Sequence, residues 1–454
     1  QAEDGIRDFC LSRGLGDVYK RQLRNNEIMI PNNKVFCMAP FVHTYVEPTG
    51  SVRPCCVAQG EVFGNIQQDS IENIWNNEKY KTIRLNMLTD KPSPECKRCM
   101  TEESWSNQSM RISMNDLYSD KIDLVNSVNE AGELPHMNLL RWDFRFSNLC
   151  NLACIGCSSE YSSTWSDLAK VMYEVEQPTF LNNKNHMQQF LDSVFDSSID
   201  SVKQIYFAGG EPLIQWEHYE VLKQLSNHGN LDSIEFSYST NLTSLNYKGT
   251  NILDYWTKMK KLAVCVSLDE IDEDRLYYIR YPSVLAKLLP NLRVLKQNLN
   301  TAEQTYTITP TWSMLNTHRI KEYMEFLLEN DLLPNSFYLD SRWEHDFHLI
   351  IMLDPDRMSV GASKPEWKTH LHEKINEYEI WYKTVLIPLK HVNAQKQSTE
   401  VLEQNVQRFH SAIDRTVSYD YEQWHDWLSR LDKARKTDWV KTFPELEWHL
   451  DKHD

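Results

Sequence analysis

Three cysteines within eight residues, Cys150-Asn151-Leu152-Ala153-Cys154-Ile155-Gly156-Cys157, constrain this chain more than any other stretch. Thiolates this close can hold one metal centre but cannot complete it, because a structural zinc or a fully protein-ligated iron–sulfur cluster takes four ligands. The fold must therefore present the loop where another molecule can reach the fourth position. Immediately before it, Leu140-Arg141-Trp142-Asp143-Phe144-Arg145-Phe146 alternates in the manner of a strand, which places the loop at a strand end.

Eight of the ten cysteines fall into two groups: Cys37, Cys55, Cys56, Cys96 and Cys99, then Cys150, Cys154 and Cys157. This is not the spacing of a small disulfide framework. With no secretory signal visible, it predicts reduced, metal-holding thiols in a cytoplasm. A chain of 454 residues, 41% of them hydrophobic, can build two or three domains. No apolar run approaches the roughly 20 residues of a membrane span. The formal net charge of −16 gives no basic footprint for nucleic acid.

Residues 1–22 lack an initiator Met and any periodic apolar face, and read like translated adapter sequence. They are set aside with Cys10, and residues 1–28 are read as a non-native or unstructured leader. Residues 35–56 predict a β-hairpin turning at Pro48-Thr49-Gly50, with Cys37 and Cys55 near its ends. A helix follows, with Asp69 as its cap and Glu72 three residues later; it stops at Pro92 and Pro94, just before Cys96-Lys97-Arg98-Cys99. From Leu139 to Asp354, strand and helix patterns alternate six times. That alternation predicts a parallel sheet with right-handed crossovers, curved into a partial (β/α)6 TIM-like barrel, with polar residues and glycines gathered where strands end. One such end is Ala208-Gly209-Gly210-Glu211-Pro212; others are Ser239-Thr240-Asn241 and Ser267-Leu268-Asp269. Beyond residue 355 the pattern is helical, with Trp424, Trp427, Leu428 and Leu431 on one face and destined for a core. Cys265, inside an apolar run, reads as core, and Cys56 as a spare beside Cys55.

The C-x3-C-x2-C loop after the first strand, followed by Gly209-Gly210-Glu211-Pro212 after the second, resembles the radical S-adenosylmethionine (SAM) superfamily over residues 139–354. The resemblance implies that Cys150, Cys154 and Cys157 bind a [4Fe–4S] cluster whose fourth iron takes the amino and carboxylate groups of SAM. It implies reductive cleavage of SAM to a 5′-deoxyadenosyl radical that abstracts hydrogen from substrate, with an electron donor such as flavodoxin or ferredoxin. Gly209, Gly210, Glu211 and Pro212 are then expected around the methionine amino group. Ser239, Asn241, Ser267 and Asp269 are expected near the ribose or methionine carboxylate, and Arg280 near that carboxylate or a neighbouring acid. Gly156 departs from the pattern, which has a bulky residue there. Ordinary caps and turns are the plain alternative for the later strand ends.

Cys37, twelve residues, Gly50, four residues and Cys55, with Cys96-x2-Cys99 later, resembles the first half of a SPASM or twitch domain. Here it precedes the radical core, and the resemblance implies an auxiliary [4Fe–4S] cluster closed by Cys37, Cys55, Cys96 and Cys99. A zinc ribbon is the alternative for the same cysteines. The expected organisation is therefore a cysteine-rich hairpin and helix module over 29–110, a linker over 111–138, the core over 139–354 and a C-terminal helical extension over 355–454. The expected substrate is a peptide or protein, with a carbohydrate or other small molecule as the alternative. In a different class stands a non-catalytic scaffold organised by metal clusters.

Overall fold

The computed structural model describes residues 34–104, 109–173, 184–299, 301, 303–339, 350–353, 355–417 and 421–446. The leader and Cys10 lie outside these residues. The chain is mixed α/β and divides into two compact units, Gln1–Asp143 with Asn183–Val202, and Phe144–Asn182 with Lys203–Asp454.

In the first unit, strands β1 (His43–Val46) and β2 (Ser51–Arg53) form the expected hairpin, pairing Tyr45 with Arg53 and Val46 with Val52. Strand β3 (Gly64–Asn65) extends it antiparallel. Phe41 and Val42 belong instead to a one-turn helix, Ala39–Val42, that enters β1. The single expected helix is two, Ile71–Trp75 and Glu78–Leu88, because the Asn77 side chain accepts from the amides of Lys79 and Tyr80 and starts a new N-terminus. Ser70, not Asp69, caps the first of them by accepting from the Asn73 amide at 3.2 Å. Arg84 is wholly buried in this unit, yet it is satisfied: it donates to the carbonyls of Pro40 and Trp75 and lies 4.6 Å over the Trp75 ring. The stretch expected as linker carries the helix Met110–Leu117. Its Asn115 bonds the Met38 amide and the Phe36 carbonyl, bracketing Cys37.

Strand β4 (Arg141–Phe144) carries the chain from the first unit into the second. There, β5 (Ala153–Cys154) lies in the cysteine loop. Strands β6 (Gln204–Phe207), β7 (Glu235–Thr240) and β10 (Lys261–Val266) run parallel, and β12 (Gln304–Ile308) joins β10 in the same sense. Between them β8 (Asn246–Tyr247) and β9 (Thr250–Asn251) make a small hairpin. Strand β11 (Arg280–Tyr281) pairs with β5, and β13 (Thr311–Trp312) pairs in parallel with β14 (Ile350–Ile351).

Alternation along the parallel strands decides the core. Phe236, Tyr238, Leu262, Val264, Val266, Tyr306 and Ile308 are buried, whereas Ser237, Ser239, Cys265 and Thr305 occupy the intervening, half-buried positions. Cys265 is thus not a core residue; it shares its register row with Ser239 and Thr307, and the Thr307 hydroxyl lies 3.5 Å from its sulfur. An apolar run hid this, because a two-residue period also fits a strand with one small-residue face. The C-terminal helices Pro365–Trp381, Val392–Asp414 and Tyr421–Arg435 belong to the second unit, with Trp424, Trp427, Leu428 and Leu431 buried as expected. Among the described residues, no helix is long and apolar enough to cross a membrane.

Candidate functional site

The cysteine loop is held by its backbone. After the last turn of the loop, Ser162-Ser163-Thr164 opens the helix Ser163–Tyr173 and turns three hydroxyls back onto the chain. Thr164 and Ser163 donate to the Cys150 carbonyl at 2.8 and 3.1 Å, and Ser162 to that of Leu152 at 2.6 Å. On the other side β5 pairs antiparallel with β11, setting Cys154 opposite Arg280, and the Ile155 amide donates to the Ile279 carbonyl at 2.7 Å. The indole of Trp165 donates to the Cys154 carbonyl at 2.6 Å. With their backbone groups satisfied, the three side chains are left as free thiols.

Burial pushes all three thiols up. Cys157 reaches about 12, with Cys154 adding repulsion, and Cys150 is raised by burial and then by Cys154 and Glu211. Burial raises Cys154 too, although Arg280 opposes it. Thiols that repel one another as thiolates gain most from a cationic centre placed between them, and its binding must release their protons. Among the described residues no three His, Cys, Asp or Glu side chains gather on the point a single metal ion needs. A [4Fe–4S] cluster is held by cysteine thiolates, so the all-thiol chemistry of this loop suits it.

The Gly209-Gly210-Glu211-Pro212 turn is joined to this loop directly. The Glu211 amide donates to the carbonyl of Leu149, the residue before Cys150, at 2.8 Å. Both glycines take left-handed backbone, with φ of 80° and 56°. A Cβ on Gly210 would lie 2.5 Å from the Leu149 carbonyl oxygen, and one on Gly209 2.5 Å from Arg145 Cδ. The closeness of turn and loop therefore depends on the missing side chains. Gln215 locks the same place by donating to the Gly209 carbonyl at 2.9 Å.

Glu211 is 2% exposed, and its carboxylate collects three donors: the Thr240 hydroxyl at 2.7 Å and the amides of Asn241 and Leu213 at 2.6 and 3.1 Å. Burial raises its pKa, and these donors oppose the rise by favouring the charged form. The Asn241 side chain bridges onward, donating to Asn151 Oδ1 at 2.9 Å and lying 4.0 Å from Cys150 Sγ. Strand ends β6 and β7 and the cysteine loop thus form one constellation.

The other expected residues are placed differently. Asp269 and Arg280 form a buried ion pair at 2.7 Å, and Asp269 also accepts from the Thr311 amide. Burial works against the Arg280 charge, but Asp269 and then Cys154 outweigh it and raise its pKa. Of the two partners foreseen for Arg280, the structure records the neighbouring acid. Ser239 faces Tyr206, their hydroxyls 2.7 Å apart. Ser267 bonds through its amide to the Thr240 carbonyl. Met352 fills the space beside Gly156: a Cβ there would meet its terminal methyl at 2.4 Å.

In the first unit Cys37, Cys55, Cys96 and Cys99 are free thiols that feel one another's charge. Burial, then Cys96 and Cys99, pushes Cys37 up to about 12; burial, then Cys99, does the same to Cys96. Cys56 sits beside Cys55 and raises it further after burial. Cys96 and Cys99 are near enough to raise the pKa of Cys37, and Cys37 and Cys99 that of Cys55, across a long stretch of sequence. Sequence reading missed Asn151, Gln215, Trp165 and the hydroxyl run 162–164. Only the last carried a local signal, a Ser-Ser-Thr cap before a helical stretch.

Fold and site together define an α/β protein with one cysteine group in each unit, Cys150, Cys154 and Cys157 in the second and Cys37, Cys55, Cys96 and Cys99 in the first. Residues 144–327 match the Radical SAM superfamily, and residues 37–100 match SPASM, an iron–sulfur cluster-binding domain. The chain thus contains a radical SAM domain with a SPASM-type domain ahead of it, and these domains imply a SAM-binding [4Fe–4S] cluster and auxiliary iron–sulfur ligation. Among solved structures it is similar to Streptococcus suis SuiB bound to precursor peptide SuiA, at 15% identity and a TM-score of 0.31, over 57% of this chain and 53% of that one. SuiB bound to S-adenosylmethionine gives 15% identity and 0.30, over 56% and 54%. TYW1 with a lysine-pyruvate adduct bound gives 16% and 0.24, over 41% and 59%. The chain thus spans a little over half the length of these structures. No curated protein matches it.

Proposed function

We propose that the chain is a radical SAM enzyme acting on a peptide or protein, its core a partial barrel of six β/α units. Cys150, Cys154 and Cys157 would hold the cluster, which would supply one-electron reduction of SAM and, through it, hydrogen abstraction from an unactivated carbon of the substrate. The observation that carries this reading is the bond from the Glu211 amide to the Leu149 carbonyl, which fastens an acidic glycine turn beside a three-thiol loop. Three thiolates leave one iron for the ligand, and Glu211, already oriented by Thr240 and Asn241, offers its carboxylate to an ammonium group. Asn241 links that carboxylate's neighbourhood to Cys150. Ser239, Ser267, Asp269 and Arg280 line the strand ends from which ribose and methionine carboxylate contacts would come. For Arg280 and Asp269 such contacts require rearranging an ion pair that now engages both.

Cys37, Cys55, Cys96 and Cys99 close the auxiliary cluster with four thiolates and give it a structural or electron-transfer role. The SPASM match over residues 37–100 supports this second iron–sulfur site. Thiols kept reduced for cluster ligation fit a cytoplasmic setting, with a flavodoxin or ferredoxin as the proposed donor. The test is formation of 5′-deoxyadenosine from SAM by the anaerobically reconstituted, reduced chain. We expect product with the wild type and none with Cys154→Ala. No product from wild type, or equal amounts from both, leaves a non-catalytic cluster scaffold instead.

A further inference from the structure

Two guanidinium groups border Cys154. Arg280 is neutralised by Asp269 at 2.7 Å. Arg435 is 3% exposed and has no ion-pair partner among the described residues, though Asp432 is near enough to favour its charge. Asp432, one turn earlier on the same helix, is engaged with the Trp439 amide at 2.8 Å and the Thr437 hydroxyl at 2.7 Å. Arg435 ends the helix Tyr421–Arg435 and reaches back 282 positions to donate to the carbonyl of Ala153, the residue before Cys154. Its other prong donates at 3.0 Å to the carbonyl of Tyr278, in the last turn of the helix Glu273–Ile279 that leads into β11, so one fork ties β5 to the segment entering its partner strand. The rings of Trp165 and Tyr281 lie 5.1 and 5.0 Å from its central carbon. Aromatic faces stabilise the cation without cancelling its charge. Burial pulls it down to about 10, which leaves it cationic at neutral pH.

We infer that Arg435 is a positioning residue for the cluster at Cys150, Cys154 and Cys157, fixing the Cys154 loop and holding beside it a buried positive charge, without an ion-pair partner among the described residues, that makes the cluster easier to reduce. The inference rests on the function proposed above. A cluster on three thiolates is negative and becomes more so on taking one electron from the external reductant, so a nearby desolvated cation stabilises the reduced form more than the oxidised one. The C-terminal helices then belong to the redox centre rather than serving as an appendage to it.

The test is a redox titration of the reconstituted full chain, followed by EPR on the signal that SAM perturbs. Arg435→Gln keeps a donor for the Ala153 carbonyl but loses the charge, and Arg435→Met loses both. We expect at least a tenfold weaker reduction equilibrium in each, 59 mV for a one-electron couple. Arg435→Lys keeps the charge and loses the fork, so iron at this site should fall while the midpoint stays near wild type. This variant alone is decisive should the neutral ones fail to fold, since a full iron count with a shifted midpoint overturns the inference. A wild-type midpoint in the neutral variants overturns it too and leaves the proposed function standing. Absence of any SAM-sensitive signal in the wild type overturns both.

Discussion

Gly210→Ala strikes the junction on which the site depends. At φ of 56° an alanine pays the left-handed backbone strain of about 1–2 kcal/mol. Its Cβ would also press to 2.5 Å on the Leu149 carbonyl oxygen and on Gln215 Nε2. That carbonyl accepts from the Glu211 amide at 2.8 Å and from Gln215 at 3.3 Å. Displacing it breaks at least one buried hydrogen bond, roughly 1–3 kcal/mol more. We therefore expect about 3 kcal/mol of destabilisation by urea unfolding, with part of the iron lost because Leu149 leads directly into Cys150. Gly229→Ala is the control: φ is 75°, but no heavy atom lies within 4 Å of its Cβ position. It should cost only about 1 kcal/mol and keep its iron. Equal stability loss in the two variants, with full iron in Gly210→Ala, would refute the close-approach reasoning.

Asp269→Ala leaves the buried Arg280 without its partner and should destabilise by about 3–5 kcal/mol, measured by denaturant unfolding; a loss below about 1 kcal/mol contradicts a tightly desolvated pair. Gly156→Phe collides with Met352, so the double variant Gly156→Phe with Met352→Ala should be more stable than Gly156→Phe alone by over roughly 1 kcal/mol in a double-mutant cycle. Near the C-terminus, burial alone would raise the Glu445 carboxyl, but hydrogen bonds from His318 and Arg275 hold it well below the ordinary 4.5. A depressed carboxyl contributes stability above its unfolded pKa and loses it as pH falls. Hydrogen exchange around Trp439–Thr442 should therefore accelerate below about pH 4.5 in the wild type, and already at pH 7 in Glu445→Gln.

Much of the site was legible because its signals are local. The spacing of Cys150, Cys154 and Cys157, the glycine turn and the alternation of β6, β7 and β10 each fit within a dozen residues. Polar residues at those strand ends were legible as a group, though their partners were not. Asp269 and Arg280, eleven positions apart, satisfy each other through a fold that no periodicity describes. The helix break at Asn77 was masked by apolar positions that continue in step on both sides. Met352 beside Gly156 and Arg435 on Ala153 are contacts of tertiary folding alone. The tryptophans of the helix Tyr421–Arg435 announced a buried face, but not that its last residue would reach the cysteine loop.

In the function proposed, one centre keeps an iron open and the other does not. EPR of the reduced, reconstituted full chain with and without SAM tests it most directly, in wild type, Cys154→Ala and Cys96→Ser. We expect SAM to alter the signal that Cys154→Ala removes and to leave unchanged the signal that Cys96→Ser removes. A SAM response that survives Cys154→Ala, or that disappears only with Cys96→Ser, would contradict it.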